Sequence, residues 1–506
     1  GIVFRLSSHN DLYFVLIRVY AQVFRKELKM ALKPRITESP QVRLIDLKSK
    51  PFFIVASVEV GNTTTKCILT ATNMETGRTH IINKVVRMTR DVRHPSPGEV
   101  VFGRTLTGVE LTRESVAELV RGTLTESMEK ASLDIKTDLD FVVRSTGVVA
   151  GFDSPEEVGE FIKALADGCL MAGVPPKNMT PPMSISNIPK KFQKYSKLEK
   201  VIFDGAVAGV LPPIGSTGVE IVANEMEGEL ATAGIKEAAK LTDVDFRNPC
   251  ISIDFGTTLD GRVTNSDQPY AKTVGNFCGY AGAIPDAIIR GSKIVDSKVG
   301  TALEVFEKEK PPSFLTLKMK AKAIETYTKR IHELIVIEQV PRDRTRYGSV
   351  PVRPDAAEQI GVTLIGCDVG VNGSDMGKLS AIGMEICKTH GLQVVSAVID
   401  EVMADVVCRL VKVAKESRLV FEDTTIGITG RAGITGNKPK LILKCLEDLN
   451  ISSKIDERVV FVDDGLARGA AVMARCMNSL GSPQNPLGGR HGGKCILAQR
   501  VKLQNK

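Results

Sequence analysis

The sequence lacks tryptophan, and aromatic residues make up only 5% of its 506 residues. Proteins that bind single-stranded nucleic acid stack bases on aromatic side chains within basic grooves, and no such interleaving of aromatic and basic residues occurs here. The net charge is +8, but residues 1–29 alone hold five basic residues against two acidic ones. Because the remainder is only mildly basic, we expect no nucleic-acid partner.

The chain also lacks an apolar run long enough to cross a bilayer. The longest candidate, residues 12–24, is interrupted by Arg18 and Gln22 and is too short for a membrane helix. No signal peptide is recognisable. Ten cysteines occur singly, without a CxxC pair and mostly within apolar runs, which predicts reduced core thiols. We therefore expect a cytoplasmic globular protein without a membrane partner.

One stretch with a clear chemical signature is residues 59–66, Glu-Val-Gly-Asn-Thr-Thr-Thr-Lys, with alternating apolar residues on both sides. The pattern predicts a β-hairpin whose tip offers backbone N–H groups and threonine hydroxyls to an anion. A Thr in a turn usually bonds only to the backbone, which is the structural alternative for each residue alone. We predict a phosphate cradle made of Gly61, Asn62, Thr63, Thr64, Thr65 and Lys66.

A second turn of the same design follows the apolar strand 250–253, with the sequence Asp-Phe-Gly-Thr-Thr-Leu-Asp-Gly at residues 254–261. Its predicted phosphate-binding residues are Gly256, Thr257 and Thr258. The pattern DGxxxG also occurs twice, at residues 204–209 and 464–469, once after each hairpin. Its small residues would let two helices cross closely at a hinge. This ordered duplication predicts two lobes.

Two glycine-containing loops are candidates for a nucleotide site. Residues 429–437, Thr-Gly-Arg-Ala-Gly-Ile-Thr-Gly-Asn, follow a predicted strand, and their glycines would let a flat ring approach the backbone. We predict an adenosine-binding loop that uses Gly430, Gly433 and Gly436. Residues 368–378 are not a Walker A loop, because Asn372 and Leu379 stand where glycine and a hydroxyl residue are required. That loop retains Asp368 and Asp375 as candidate carboxylates.

The order of these motifs predicts the domain organisation. Residues 1–52 form a lead-in that is partly disordered, and residues 33–50 are expected to be extended. Residues 1–29 differ in composition from the rest. This suggests either sequence upstream of a natural start at Met30 or a short helix that binds an interface or a partner. The predicted divisions are 53–215 for lobe I, 216–247 for an inter-lobe helical connection, 248–461 for lobe II with a helical insertion at 304–358, 462–480 for a helix returning to lobe I, and 481–506 for a loose tail.

These motifs together resemble the acetate kinase, sugar kinase, heat-shock protein and actin (ASKHA) ATPase superfamily. The resemblance rests on residues 59–66, 204–209, 254–261, 427–436 and 464–471, taken in that order. The GNTTTK turn and the VRSTG segment at 143–147 look most like reductive-activator ATPases, including those of 2-hydroxyacyl-CoA dehydratases and corrinoid proteins. The whole chain is similar to the archaeal methanogenesis marker protein fourteen family.

The resemblance implies a duplicated, actin- or ribonuclease H-like α/β fold with MgATP between its lobes. Asp254 and Glu59 would hold Mg²⁺ through water, and one of these carboxylates or Asp464 would orient the attacking water. The implied activity is an ATPase that activates or assembles a partner protein, in particular a low-potential metalloenzyme of methane formation. The oligomeric state stays open, with a homodimer as one option.

Two departures from the family pattern leave alternatives open. Glu59 stands where an aspartate is usual, so a nucleotide-gated scaffold with negligible turnover is one alternative. A small-molecule kinase with Asp260 or Asp368 as its base is another. Cys278 resembles one of the two cysteines that hold an iron–sulfur cluster in the activators, but no cysteine stands near residues 204–209 to resemble the other. We therefore expect no iron–sulfur cluster.

Overall fold

The computed structural model describes residues 33–39, 42–146, 152, 154–179, 189–194, 225–265, 273–306, 312, 314–359, 361–452, 454–478 and 480. Within these residues no helix combines the length and apolar character needed to cross a membrane. The predicted DGxxxG segment at 204–209, the residues 1–29 and the predicted tail at 481–506 lie outside the described residues.

The described residues alternate between strands and helices. The strands are β1 (Arg35–Ile36), β2 (Phe52–Val60), β3 (Thr64–Asn73), β4 (Thr79–Met88), β5 (Val101–Arg104), β6 (Glu110–Thr112), β7 (Phe141–Thr146), β8 (Cys250–Phe255), β9 (Leu259–Thr264), β10 (Thr273–Gly279), β11 (Ile335–Gln339), β12 (Arg346–Tyr347), β13 (Val350–Pro351), β14 (Thr363–Val369), β15 (Thr425–Thr429) and β16 (Val459–Val462). The helices are α1 (Leu44–Ser49), α2 (Arg113–Lys130), α3 (Pro155–Met171), α4 (Lys190–Gln193), α5 (Glu225–Ala239), α6 (Ala283–Gly291), α7 (Leu303–Phe306), α8 (Phe314–His332), α9 (Pro354–Gln359), α10 (Met376–His390), α11 (Leu392–Glu416), α12 (Arg431–Ile434), α13 (Lys438–Asp448) and α14 (Gly465–Met477).

Lobe I is the sheet with strand order β4-β3-β2-β7 and the helices that cover it. Strands β2, β3 and β4 form an antiparallel meander, and β7 joins β2 in parallel. Helices α2 and α3 cover one face of this sheet, where Val58 of β2 and Leu69 of β3 are buried in one apolar cluster with Phe161 of α3. Strand β2 is buried on both faces, which explains its nearly continuous apolar sequence.

Lobe II repeats this arrangement in a larger sheet with the order β1-β16-β15-β8-β9-β10-β14-β11. Strands β8, β9 and β10 form the same antiparallel meander, and β15 joins β8 in parallel as β7 joins β2. Two meanders of one topology, each extended by a parallel strand, confirm the predicted α/β fold with two duplicated lobes.

Helices α5 and α14 cross between the two sheets. Leu230 and Ala231 of α5 pack with Ala470 of α14 against the lobe I sheet, while Ile235 packs against the lobe II strands β8 and β16. The crossing is so close that a Cβ atom at Gly234 would stand 1.7 Å from the Gly465 carbonyl oxygen. The small residues predicted at the hinge therefore occur in α14, and α5 is its partner among the described residues.

The structure corrects two predictions about secondary structure. Residues 33–50 are not simply extended, because Leu44–Ser49 form α1 and Arg35–Ile36 pair in parallel with β16 of lobe II. The segment 304–358 is not purely helical, because β11 pairs antiparallel with β14 at the edge of the lobe II sheet. Its β-branched run, Ile335 to Ile337, is the sequence signal for that strand.

The prediction that the cysteines are reduced is wrong for part of the set. Cys408 of α11 and Cys445 of α13 form a disulfide with their Cα atoms 6.3 Å apart, and Cys476 is disulfide-bonded as well. Helices α11 and α13 pack side by side, a proximity that single cysteines 37 residues apart do not reveal. Cys67, Cys169, Cys250, Cys278 and Cys367 are buried free thiols.

Candidate functional site

The tips of the two predicted phosphate hairpins touch each other. The turn of residues 61–63 joins β2 to β3, and the turn of residues 256–258 joins β8 to β9. The hydroxyl of Thr257 donates a hydrogen bond to the hydroxyl of Thr63 across the lobes, with an oxygen–oxygen distance of 2.9 Å. Two turns that are 194 residues apart in sequence therefore meet at one point.

A cleft between the lobes, with a cavity of about 220 Å³, surrounds this meeting point. Most of the residues predicted to bind nucleotide or to act in catalysis line it. They are Glu59, Gly61, Asn62, Thr63, Thr64, Lys66, Asp254, Gly256, Thr257, Thr258, Gly430 and Asp464. Three predicted residues, Thr65, Gly433 and Gly436, are not among the residues that line the cleft.

Strand alternation explains why Thr65 differs from its neighbours. Thr64 and Lys66 point into the cleft, so Thr65 points to the opposite face of β3. Its buried hydroxyl lies 3.0 Å from that of Thr89, and Thr89 in turn donates to the Gly61 carbonyl oxygen at 2.7 Å. Thr65 thus supports the turn from the face of β3 opposite the cleft.

Carboxylates crowd the floor of the cleft beside a lysine. Asp254 is 3% exposed, and burial, followed by the charges of Glu227 and Glu59, raises its pKa to about 8. Lys66 Nζ lies 3.6 Å from Glu59 Oε2. Burial lowers the pKa of Lys66, but the carboxylates of Glu59, Asp254 and Asp464 outweigh that effect and raise it. The floor of the cleft therefore places these carboxyl groups against Lys66, and Lys84, Arg431 and Lys438 also line the cleft.

Glu227, on the first turn of α5, is a cleft residue that the sequence analysis missed. It is 3% exposed, and its pKa is raised well above the ordinary value by burial and then by the neighbouring Asp260. A signal for it was present, because Glu227 shares its helical face with Leu230, Ala231 and Gly234. A carboxylate on an otherwise apolar helix face is a candidate functional group.

Asp464 is held at the rim of the cleft by lobe I. It adopts the left-handed conformation, with φ of 55°, immediately before α14, and its carboxylate accepts a hydrogen bond from Lys84 of β4. The next residue, Gly465, donates its N–H to the Thr429 hydroxyl at 3.0 Å. Lys84, which the sequence analysis missed, thus bridges the lobes at the start of the hinge helix.

Of the three glycines in the predicted adenosine loop, Gly430 lines the cleft and the other two do not. Gly430 has φ of +84°, and a Cβ atom there would lie 2.4 Å from the Phe255 backbone. Gly433 packs instead against Phe255 and Ile428, and a Cβ atom at Gly436 would lie 2.6 Å from the Asp400 carboxylate. Gly433 and Gly436 therefore take part in the packing of the loop. Its other residues that line the cleft are Thr429, Arg431, Ala432 and Thr435, with Lys438 directly after it.

Asp400 of α11 fixes the far end of this loop, which the sequence did not predict. One carboxylate oxygen accepts the N–H of Asn437 at 2.8 Å, and the other accepts from Lys438 Nζ at 2.7 Å. Both partners of the Lys438–Asp400 ion pair are 5% exposed. A buried pair of this kind holds the turn at residues 435–438 in one position.

Other candidate residues have structural surroundings. The Asp368 carboxylate accepts backbone N–H groups from Val369, Asn372 and Gly373, so it stabilises its own turn. Cys278 is fully buried in an apolar cluster, and burial raises the pKa of its thiol, which disfavours the thiolate that a metal cluster requires. Among the described residues, no group of three or more histidine, cysteine, aspartate or glutamate side chains could hold a metal ion directly.

Comparison with solved structures finds matches at low sequence identity and low TM-score. A reductive activator for a corrinoid, iron–sulfur protein is 12% identical, with a TM-score of 0.35 over 90% of this chain. The chain spans 62% of that activator's length. A hexokinase is 12% identical, with a TM-score of 0.31 over 87% of each chain. A Ppx/GppA phosphatase from Aquifex aeolicus is 11% identical, with a TM-score of 0.29 over 83% of this chain and 98% of its own.

Comparison with curated proteins finds two archaeal relatives over nearly the full length. An uncharacterized protein of Methanocaldococcus jannaschii is 58% identical over 96% of this chain and 98% of its own. One from Methanothermobacter thermautotrophicus is 53% identical over 94% of this chain and 90% of its own. A family model described as an uncharacterized protein conserved in archaea (DUF2114) matches residues 52–504. The chain therefore belongs to this archaeal family.

Proposed function

We propose that the protein binds MgATP in the inter-lobe cleft, hydrolyses it and uses the resulting lobe movement to act on a partner protein. The observation that carries the proposal is the hydrogen bond between Thr63 and Thr257, which brings two turns of one design together above the carboxylates of Glu59 and Asp254. A γ-phosphate at this point would contact both lobes at once.

The chemistry of the donor set suits a triphosphate. Thr63, Thr64, Thr257 and Thr258 bring hydroxyl groups, and the two turns bring backbone N–H groups. Lys66 supplies a positive charge that three carboxylates stabilise. A nucleotide between the turns would replace the direct bond between Thr63 and Thr257 and would then hold the lobes together itself.

The crowded carboxylates suit an outer-sphere magnesium ion. Mg²⁺ keeps several of its waters, and one or two carboxylates together with substrate phosphates commonly hold it in proteins. Glu59 and Asp254 would bind those waters, and the positive charge would offset the burial and the carboxylate repulsion that together raise the pKa of Asp254. When bound, the ion would neutralise charge on the transferring phosphoryl group. One of these two carboxylates, or that of Asp464, would orient the attacking water.

Movement of the lobes would follow from loss of the shared phosphate. The lobes meet at the crossing of α5 with α14, and Lys84 links Asp464 at the start of α14 to lobe I. If hydrolysis removes the group that joins the hairpin tips, rotation about this crossing opens the cleft. We further propose that the partner is a low-potential metalloenzyme of methane formation, consistent with relatives from Methanocaldococcus and Methanothermobacter.

The test measures phosphate release by the purified protein with MgATP, alone and with fractions of an archaeal cell extract. We expect stimulation by a protein fraction. Asp254→Asn should lower turnover by about 10- to 100-fold, because it removes an outer-sphere metal contact. Asp423→Asn, an exposed aspartate remote from the cleft, is the matched control and should behave as the parent protein.

Other outcomes would redirect the proposal. Stimulation by a dialysable metabolite, with transfer of phosphate to it, would identify a small-molecule kinase instead. Tight ATP binding without turnover under any condition would identify a nucleotide-gated scaffold. If calorimetry with magnesium and ATP gives no heat of binding, the cleft is not a nucleotide site and the proposal is wrong.

A further inference from the structure

One apolar side chain of lobe I packs into the core of lobe II. Leu106, in the turn between β5 and β6, packs against the lobe II cluster, and every other described member of that cluster lies within residues 251–461. The two strands themselves belong to lobe I, because Phe102 of β5 and Leu111 of β6 are buried in its own cluster. The β5–β6 turn therefore carries Leu106 across the boundary between the lobes.

The turn that carries Leu106 is bonded directly to the first phosphate hairpin. The backbone N–H of Leu106 donates to Asn62 Oδ1 at 2.9 Å. Asn62 precedes Thr63, whose hydroxyl accepts the hydrogen bond from Thr257 of lobe II. Lobe I thus reaches lobe II through two neighbouring turns, and the side chain of Asn62 ties one turn to the other.

The β5–β6 turn holds Leu106 in a defined position. Thr105, which precedes it, is 4% exposed. The backbone N–H of Thr105 donates to the Val109 carbonyl oxygen at 3.0 Å, and its hydroxyl accepts the Val109 N–H at 3.1 Å. Gly108 adopts φ of +84°, which closes the turn. Because the turn is rigid, little conformational entropy is lost when Leu106 is buried against lobe II.

Lobe II also contacts the segments that flank this hairpin. Phe152 packs on Phe102 of β5, with the ring centroids 5.9 Å apart, and its carbonyl oxygen accepts a hydrogen bond from Arg346 of lobe II at 2.9 Å. Before the hairpin, Arg90 of lobe I forms a bidentate pair with Glu304 of lobe II. None of these residues belongs to α5 or α14, so they join the lobes at a second place besides the helix crossing.

We propose that Leu106 is a positioning residue, a latch that holds the two phosphate hairpins together before a ligand binds. A hydrogen bond between neutral groups, such as that of Thr257 with Thr63, shifts an equilibrium by roughly tenfold or less. The Arg90–Glu304 pair is partly exposed to solvent and adds little more. Each methyl or methylene group removed from water shifts an equilibrium by about fourfold, so a partly buried leucine contributes as much as these polar contacts.

The test follows amide hydrogen exchange of the full chain by mass spectrometry, without nucleotide. Leu106→Ala removes three carbon atoms from a partly buried side chain, so opening of the lobes should become about tenfold more frequent. Exchange of the lobe II residues 256–258 and 299–306 should accelerate by the same factor. Leu106→Val, which removes one carbon atom, should accelerate it by about two- to fourfold and keeps the test available where Leu106→Ala fails to fold.

Val109→Ala is the matched control. Val109 lies at the end of the same turn and is partly buried like Leu106, but it packs against the lobe I cluster. This substitution should leave exchange of residues 256–258 and 299–306 at the parent rate. If the Leu106 variants also exchange there at the parent rate, or if Val109→Ala accelerates exchange equally, Leu106 is not a latch.

A second arm with MgATP separates the latch from the nucleotide site, on which its link to turnover rests. A triphosphate that contacts both hairpins would hold the lobes together in place of Leu106. MgATP should therefore slow exchange in Leu106→Ala towards the parent rate. If exchange accelerates in this variant and MgATP does not slow it, the latch is supported and the proposed nucleotide site is wrong.

Discussion

The substitution Gly234→Ala tests the close packing of α5 against α14 between the two sheets. The added Cβ atom would stand 1.7 Å from the Gly465 carbonyl oxygen and 2.7 Å from the Gly469 nitrogen. Ordinary contact begins near 3.4 Å, so the helices must separate by about 1.7 Å, the difference between 3.4 and 1.7. Both clashing atoms belong to the backbone, so no change of side-chain rotamer can relieve the clash.

The cost can be worked out from the gap that this separation opens. Over a helix contact patch of about 100 Å², a 1.7 Å displacement leaves roughly 170 Å³, which at about 24 cal/mol per Å³ costs about 4 kcal/mol. Alanine is a better helix former than glycine by about 1 kcal/mol. We therefore expect Gly234→Ala to lower the free energy of unfolding by about 3 kcal/mol.

The assay is denaturant unfolding followed by far-ultraviolet circular dichroism, because the chain has no tryptophan. The control is Gly159→Ala in α3, where an added Cβ atom meets nothing within 4 Å. This control should gain stability by up to about 1 kcal/mol, since only the helix propensity changes. If Gly234→Ala is as stable as Gly159→Ala, the close crossing deduced from the coordinates is refuted.

Three further predictions concern buried or inter-lobe charges. Burial raises the pKa of Asp286 to about 6 from 3.8, so the folded protein binds the proton more tightly, and the carboxylate lowers stability at neutral pH. Asp286→Asn should raise the free energy of unfolding at pH ~7 by at most about 3 kcal/mol. This gain should disappear as the pH falls to about 4, where the parent carboxyl is protonated. An equal gain at both pH values in denaturant titrations would contradict the assignment of the effect to the Asp286 charge. Arg90→Lys loses the bidentate geometry with Glu304, whose side chain is 29% exposed. Hydrogen exchange of residues 299–306 should therefore accelerate, while the free energy of unfolding falls by only about 1 kcal/mol. Unchanged exchange in this segment would count against the bridge. Lys438→Met leaves the buried Asp400 carboxylate without its lysine partner and should lower the free energy of unfolding by about 3–5 kcal/mol. Adding Asp400→Asn should recover part of that stability, as measured by thermal unfolding. If the effects of the two substitutions on stability are fully additive, the pair is not coupled.

The sequence predicted the two phosphate hairpins because each rests on local rules. Alternating apolar residues, a glycine and consecutive hydroxyls specify a strand, a turn and a polar tip without help from distant residues. The duplicated order of hairpin and DGxxxG indicated two lobes for the same reason. A local pattern cannot separate packing from binding, since Gly433 and Gly436 contact packed side chains and do not line the cleft.

Only the tertiary structure determined which residues share the cleft. Glu227 and Asp286 lie on helices whose sequences carry no binding motif, and they enter the site because α5 and α6 pack beside the hairpins. The disulfide of Cys408 with Cys445 likewise depends on the packing of α11 against α13. A sequence specifies conformation over a few residues, whereas contacts between distant segments depend on how all the apolar faces are buried together. The sequence by itself therefore determined the two turns that are predicted to hold phosphate, and the folded arrangement decided which carboxylates and apolar surfaces surround them.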